Sequence, residues 1–155
     1  EKTSAFPARV IWHVDASNLV VGRMASLIAQ KLLLGESITV TNAEKAVFTG
    51  NPRILTKRWQ TRLDLRPRGN PEKAPRFSKM PDRIVKEIIE GMLPSRMQRG
   101  REAMRRLNVY IGKPSRAGEL KHALDVKEAQ NHKTKGITSV LALSQSLGYI
   151  YPEKK

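Results

Sequence analysis

The 155 residues include 29 Lys and Arg against 14 Asp and Glu, which gives a net charge of +15 and a pI near 10.6. A compact domain with that excess repels itself, and nucleic acid is the usual partner above a pI of about 9. The absence of cysteine excludes disulfides, thiolate zinc sites and a thiol nucleophile. No apolar run approaches the roughly 18 residues of a membrane span. Binding to a membrane surface is disfavoured because the most basic segments lack a bulky apolar face.

The first elements predict an α/β fold. Residues Val10 to Asp15 alternate bulky and β-branched side chains, as a strand does. From Gly22 to Leu34 apolar residues recur at helical spacing, and Gly35 then suits a helix C-terminus. Ser37 to Thr41 is a second short strand. A helix of this length between two strands is a crossover, so the two strands are predicted to be parallel.

A third strand and a second helix follow. Ala46 to Thr49 is the predicted strand, and the helix runs from Pro52 to about Leu65. Asn51 suits the N-cap of this helix, and proline suits its first position. One side of the helix is apolar, through Leu55, Trp59 and Leu63. The neighbouring side is basic, through Arg58, Arg62 and Arg66.

Residues 67–81 form a basic loop that is rich in proline. Such a segment cannot bury an apolar face of its own, and a flexible linker is one interpretation. Its charge favours the other interpretation, a segment that becomes ordered against folded RNA. Its candidate binding residues are Arg68, Lys73, Arg76 and Lys79.

Two further helices and a strand are predicted after the loop. The first helix, Asp82 to Met92, directs Ile84, Val85, Ile88, Ile89 and Met92 inward. Pro94 ends it, and Ser95 is predicted to cap a second helix from Arg96 to Arg106. A strand at Asn108 to Ile111 follows. The basic residues of the second helix are Arg96, Arg99, Arg101, Arg105 and Arg106.

The C-terminal part is less periodic. Residues 113–135 are predicted to be extended, with a short helix around Val126 to Ala129, and a last helix runs from Thr138 to Gly148. We therefore expect a core domain at residues 10–112 and an extension at 113–155. Residues 1–9 form a tail that is too short and polar for a signal peptide. Candidate binding residues of the extension are Lys113, Arg116, Lys121, His132, Lys133 and Lys135.

Motifs of catalysis are absent from the sequence. The three histidines are scattered without metal-site spacing, and no GxGxxG, P-loop or GxSxG motif occurs. Gly22 opens a helix after a strand, so a nucleotide-binding enzyme is one alternative, although a lone glycine is weak evidence and close helix–sheet packing is the favoured reason for it. His13, Trp12 and Trp59 are predicted to be packing residues. We expect no catalytic residues, metal, cofactor or small-molecule substrate.

The arginine clusters favour a binding protein. Arginine presents a planar fork that meets two phosphate oxygens at once. Residues 58, 62 and 66 span two helical turns, about 12 Å, which reaches two adjacent phosphates. A single exposed arginine is as often only solvated. The complete set needs a polyanion, because the chain has too few acidic residues to pair with it.

Several segments carry a family resemblance. They are Asp15 with LVVGRMAS (Leu19–Ser26), VTNAEKAVFTGN (Val40–Asn51), PDRIVKEIIEGMLP (Pro81–Pro94) and RGREAMRRLNVYIG (Arg99–Gly112). In this order, from about Val10 to Gly112, the chain resembles the large-subunit ribosomal protein family numbered thirteen, in its archaeal and eukaryotic-like form. The loop at 67–79 and the tail from Lys113 look like the archaeal version.

The resemblance implies a three-layer α/β/α core with a four-stranded, mostly parallel sheet. It implies a cytoplasmic, non-enzymatic constituent of the large ribosomal subunit that binds its rRNA, supports assembly and neighbours other large-subunit proteins. In the family the GMLP segment and the arginine-rich helix after it lie in the region that contacts rRNA. A free-standing RNA-binding regulator is the remaining alternative.

Overall fold

The computed structural model describes residues 11–65, 69–113, 122–124, 126–133 and 135–150. Its strands are β1 (Ile11–Asp15), β2 (Ser37–Thr41), β3 (Val47–Thr49), β4 (Leu107–Val109), β5 (His122–Ala123) and β6 (Ile137–Ser139). Its α-helices are α1 (Val21–Leu33), α2 (Pro52–Leu63), α3 (Pro81–Glu90), α4 (Gln98–Arg105) and α5 (Val140–Ser146). Short 3-10 turns lie at Ala43–Lys45, Pro71–Lys73 and Lys127–Ala129. None of the helices in the described ranges is long and apolar enough to cross a membrane.

A four-stranded parallel sheet, in the order β4-β2-β1-β5, forms the centre of the fold. Strands β1 and β2 pair from Ile11 with Ser37 to Asp15 with Thr41, and α1 connects them. The predicted β–α–β crossover is therefore confirmed. With five α-helices among the described residues around this sheet, the chain has a three-layer α/β fold, as the resemblance implied.

The core lies where α1 meets the sheet. Met24, Ile28 and Leu32 recur at helical spacing on α1 and are fully buried. Val14 of β1 and Val40 of β2 are buried with them. Helices α3 and α4 pack against α1, which joins the two later helices to the first crossover unit. Burial of this apolar surface is the main source of stability.

The last helix begins later than the sequence predicted. Thr138 lies in β6, where it pairs with Phe48 in a two-stranded antiparallel sheet with β3. Helix α5 then begins at Val140, because the Ser139 hydroxyl oxygen accepts the Ala142 N–H at 3.1 Å as an N-cap. The pairing depends on residues about ninety positions apart, which local periodicity does not reveal.

Two expectations about the α3–α4 connection were wrong. Met92 is 43% exposed, because α3 ends at Glu90 and the chain turns before Met92 can face the core. Ser95 does not cap α4, which begins at Gln98 with Met97 in the N-cap position and no side-chain cap. The connection packs closely against α4 instead, because a Cβ on Gly100 would lie only 2.2 Å from the Pro94 carbonyl oxygen.

Candidate nucleic-acid interface

Helix α2 presents the predicted apolar and basic sides. It begins with the Asn51 side chain accepting the Arg53 N–H at 3.0 Å, which confirms the predicted N-cap. Trp59 is only 6% exposed, and its ring centroid lies 6.5 Å from that of Phe48. Arg58 and Arg62 are exposed. The apolar side thus fixes α2 to the core and leaves both guanidinium groups facing outward.

Arg62 is held between two aromatic rings. Its guanidinium carbon lies 5.3 Å from the ring centroid of Trp59 and 5.9 Å from that of Phe77. Cation–π contacts of this kind contribute about 0.5–1 kcal/mol at exposed sites and restrict the side chain to a few orientations. Phe77 comes from the basic loop and had not been singled out in the sequence. Only its position beside basic residues could have suggested it.

The basic loop is attached to the core at its C-terminal end. The Ser78 N–H donates to the Glu87 carboxylate at 2.9 Å, and the Ser144 hydroxyl donates to the Lys79 carbonyl oxygen. Burial raises the pKa of Glu87, although the Ser78 N–H and the charges of Arg83 and Arg62 oppose the shift. The side chains of Lys73, Arg76 and Lys79 are exposed. Arg66 and Arg68 lie outside the described residues.

Helix α4 carries exposed arginines around a buried small-residue face. Gly100 and Ala103 are buried against the core, and the one acidic residue of the helix, Glu102, accepts a hydrogen bond from Gln98 at 2.9 Å. Four of the predicted arginines are therefore available for an external partner. They are Arg96, Arg99, Arg101 and Arg105.

Arg106 differs from the other arginines of this cluster. It is half-buried, and its Nη2 donates to the Leu32 carbonyl oxygen at 2.9 Å, at the C-terminal end of α1. A cation in this place satisfies a helix-terminal carbonyl and interacts favourably with the helix dipole. Arg106 thus has a structural role within the protein, which its position in an arginine-rich segment had obscured.

The basic residues of the extension are scattered. Lys113 lies near the end of β1, where its charge lowers the pKa of Asp15 as a minor cause. Burial raises that pKa, but hydrogen bonds from Asn42 and Ser17 outweigh burial and bring it below its usual value. The side chains of His132, Lys133 and Lys135 are exposed. Arg116 and Lys121 lie outside the described residues.

Internal ion pairs do not compensate the arginines of the described ranges. No arginine in the described ranges has a guanidinium nitrogen within 4.0 Å of a described carboxylate oxygen. Lys31 and Glu36 do pair, with 3.8 Å between Nζ and Oε1, and they lie at the end of α1. The described arginines that are exposed at α2, in the basic loop and at α4 therefore lack an internal counter-ion, and we call them together the arginine surface.

The structure shows the surroundings of Gly22 and His13, two residues for which the sequence raised more than one role. Gly22 is exposed, and a Cβ placed there would meet nothing within 4 Å, so close helix–sheet packing is not the reason for this glycine. His13 is a satisfied packing residue, with Nε2 2.8 Å from the Thr41 hydroxyl oxygen. No group of three potential metal ligands occurs among the described residues.

The fold and the arginine surface together define a basic α/β binding protein. The family model described as Ribosomal protein L13 matches residues 9–116. The chain belongs to this family of ribosomal proteins, which is a family of structural, non-enzymatic proteins.

Archaeal relatives extend the match beyond the family model. The protein of Methanopyrus kandleri is 39% identical over 142 residues, covering 90% of this chain and 87% of the relative. That of Archaeoglobus fulgidus is 40% identical over 138 residues, covering 88% and 86%. That of Methanosarcina barkeri is 48% identical over 103 residues, covering 66% and 71%. Each of these relatives is named large ribosomal subunit protein uL13.

Proposed function

We propose that the chain is a structural constituent of the large ribosomal subunit, located in the cytoplasm, that binds and stabilises large-subunit rRNA and supports subunit assembly. The observation that carries the proposal is the arginine surface, whose guanidinium groups have no described carboxylate within 4.0 Å. The names of the archaeal relatives also support a place in the large ribosomal subunit. Neighbouring large-subunit proteins are further partners in this proposal.

Recognition is proposed to depend mainly on phosphates and on the shape of the RNA. The deep, narrow groove of an A-form helix hides its base edges from side chains. Arg58 and Arg62 on α2, with Arg96 and Arg99 near α4, present planar donors to the backbone instead. Neutralising phosphates in this way lets RNA segments approach that would otherwise repel each other. Residues 10–112 provide the core of this interface, and the extension at 113–155 adds to it.

The salt dependence of binding tests this mechanism. About eight phosphate contacts would lose roughly 10³–10⁵ in affinity for rRNA between 50 and 200 mM salt. Filter binding of the full chain to large-subunit rRNA over that range measures the slope. A flat response would contradict binding through phosphates.

A charge-matched pair of double variants tests whether the predicted arginines contribute to rRNA binding. Arg96→Gln with Arg99→Gln removes two exposed charges from the arginine surface, and Arg23→Gln with Lys45→Gln removes two exposed charges that lie outside it and outside the predicted set. We expect the first variant to bind rRNA more weakly and with a shallower salt slope than the second. Equal affinities would show that the predicted positions are wrong.

Co-sedimentation separates the ribosomal role from that of a free-standing RNA-binding regulator. A structural constituent follows the large subunit in equal stoichiometry through a sucrose gradient. A regulator binds RNA but does not follow the subunit at a fixed ratio, so substoichiometric co-sedimentation would favour that alternative.

A further inference from the structure

A cleft of about 370 Å³ opens beside helix α2, between the start of α1, strand β3 and helix α3. Its walls are mainly apolar, and Phe48, Leu55 and Trp59 contribute to them. Arg58 and Arg62 also line it. Its size falls in the range of about 300–1,000 Å³ that is typical of small-ligand sites. We call it the α2 cleft.

The lining of the α2 cleft selects a type of ligand. Two guanidinium groups favour an anion, and the apolar and aromatic walls favour a flat, weakly polar group. None of the described residues that line the cleft is acidic. By contrast, a cavity of about 350 Å³ between α3 and β4 is lined by three carboxylates, which offset the charges of the two cations there. These residues are Asp82, Glu87 and Glu90 with Arg83 and Lys86. The α2 cleft therefore suits a ligand that combines a phosphate with an aromatic ring.

Three features leave the α2 cleft ready for such a ligand. Arg62 is already held between Trp59 and Phe77, so less side-chain entropy is lost when it binds. Trp59 is almost covered, whereas Phe48 is half-buried, so the accessible flat surface is that of Phe48. Gly22 leaves its side of the cleft open, because a Cβ there would meet nothing within 4 Å.

We propose that the α2 cleft receives one unstacked nucleotide of single-stranded RNA. Its base lies against Phe48, and its phosphate meets Arg58 and the free N–H groups of Arg62. Bases that leave the helical stack are commonly bound on aromatic rings and arginine planes, and such contacts tolerate any base. This inference rests on the proposed binding of rRNA, and it adds one defined contact to a surface that otherwise reads only backbone charge.

Filling the cleft tests the proposal without changing any charge. Gly22→Leu places a side chain into the opening, while Gln30→Leu places the same side chain on an exposed position two turns further along α1. With the full chain and large-subunit rRNA, we expect Gly22→Leu to weaken binding about tenfold and Gln30→Leu to leave it unchanged. Ultraviolet crosslinking followed by mass spectrometry should link the parent to RNA at Phe48, and Gly22→Leu should lose this crosslink. Circular dichroism of each variant checks that the fold is retained.

The outcomes separate this inference from the proposed function. If the parent binds rRNA with a steep salt slope, but Gly22→Leu binds equally well and no crosslink forms in the cleft, the nucleotide site is wrong and the rRNA-binding function stands. If Gly22→Leu binds rRNA normally yet fails to enter large subunits, a protein segment occupies the cleft, which also overturns the proposal. If the parent does not bind rRNA, the proposed function itself fails.

Discussion

The buried carboxylate of Glu44 accepts the backbone N–H of Gly112, with 3.0 Å between Oε2 and the nitrogen. The Gly112 carbonyl in turn accepts the Asn42 N–H at 3.0 Å. Both Asn42 and Gly112 have positive φ, at 54° and 68°. The turn after β2 is thus attached to the turn after β4, at the point where the predicted core ends and the C-terminal extension begins.

Removing the Glu44 carboxylate should lower the free energy of unfolding. Glu44→Ala leaves the Gly112 N–H without its acceptor, and an unsatisfied group of this kind costs about 1–3 kcal/mol. Urea denaturation monitored by circular dichroism measures the loss. Glu72→Ala, at an exposed position in the basic loop, is the control and should change stability by less than about 0.5 kcal/mol. Equal effects of the two substitutions would show that the Glu44–Gly112 contact contributes nothing.

Two glycine-to-alanine substitutions should have opposite effects. A Cβ at Gly100 would lie 2.2 Å from the Pro94 carbonyl oxygen and 2.6 Å from its carbonyl carbon, so Gly100→Ala forces backbone to move and should cost about 1–3 kcal/mol. Gly22 lies in the first turn of α1 with open space around it, so Gly22→Ala should stabilise the helix by up to about 1 kcal/mol. Thermal unfolding of both variants measures the difference. A destabilising Gly22→Ala would contradict the open position of that residue.

His13 should make stability depend on pH. Burial lowers the pKa of His13 below the usual 6.5, Asp15 partly opposes this, and Lys113 adds to the lowering. The His13 side chain therefore binds a proton more readily in the unfolded chain than in the folded protein. The contribution of neutral His13 to the free energy of unfolding is complete above about pH 6.5 and is lost as the pH falls through the lowered pKa. In His13→Gln the urea midpoint of unfolding should therefore change less between about pH 7 and 5 than it does in the parent. The control is His132→Gln, at an exposed position, which should keep the pH dependence of the parent. If His132→Gln removes the pH dependence as fully as His13→Gln does, His13 is not its specific source.

Local patterns predicted the first half of the fold well. The spacing of Met24, Ile28 and Leu32 identified α1, and the flanking β-branched runs identified two strands that are indeed parallel neighbours. Strand β5 could not be predicted, because two residues carry no periodicity and its place beside β1 depends on long-range pairing. The same limit applies to β6, whose partner β3 was predicted as a strand but lies far away in the sequence.

Predicting the candidate interface from composition had a different limit. Counting arginines led to α2 and α4 as candidate helices, but charge alone cannot separate a side chain that faces solvent from one that contacts its own protein. Arg62 is exposed between two rings, whereas Arg106 bonds the end of α1. A glycine inside the arginine-rich helix, Gly100, was the available sign that this segment is packed tightly on one side.

Arg106 and Arg99 should respond differently to the same substitution. Arg106→Gln removes the donor to the Leu32 carbonyl oxygen and should lower the free energy of unfolding by about 1–3 kcal/mol, since hydrogen bonds from charged groups are among the stronger ones. Arg99→Gln alters an exposed side chain on α4, so its stability should stay within about 0.5 kcal/mol of the parent, while its affinity for rRNA should fall. Urea denaturation and filter binding on both variants distinguish the two roles. Were Arg106→Gln as stable as the parent and weaker only in RNA binding, the guanidinium would belong to the arginine surface and not to the end of α1.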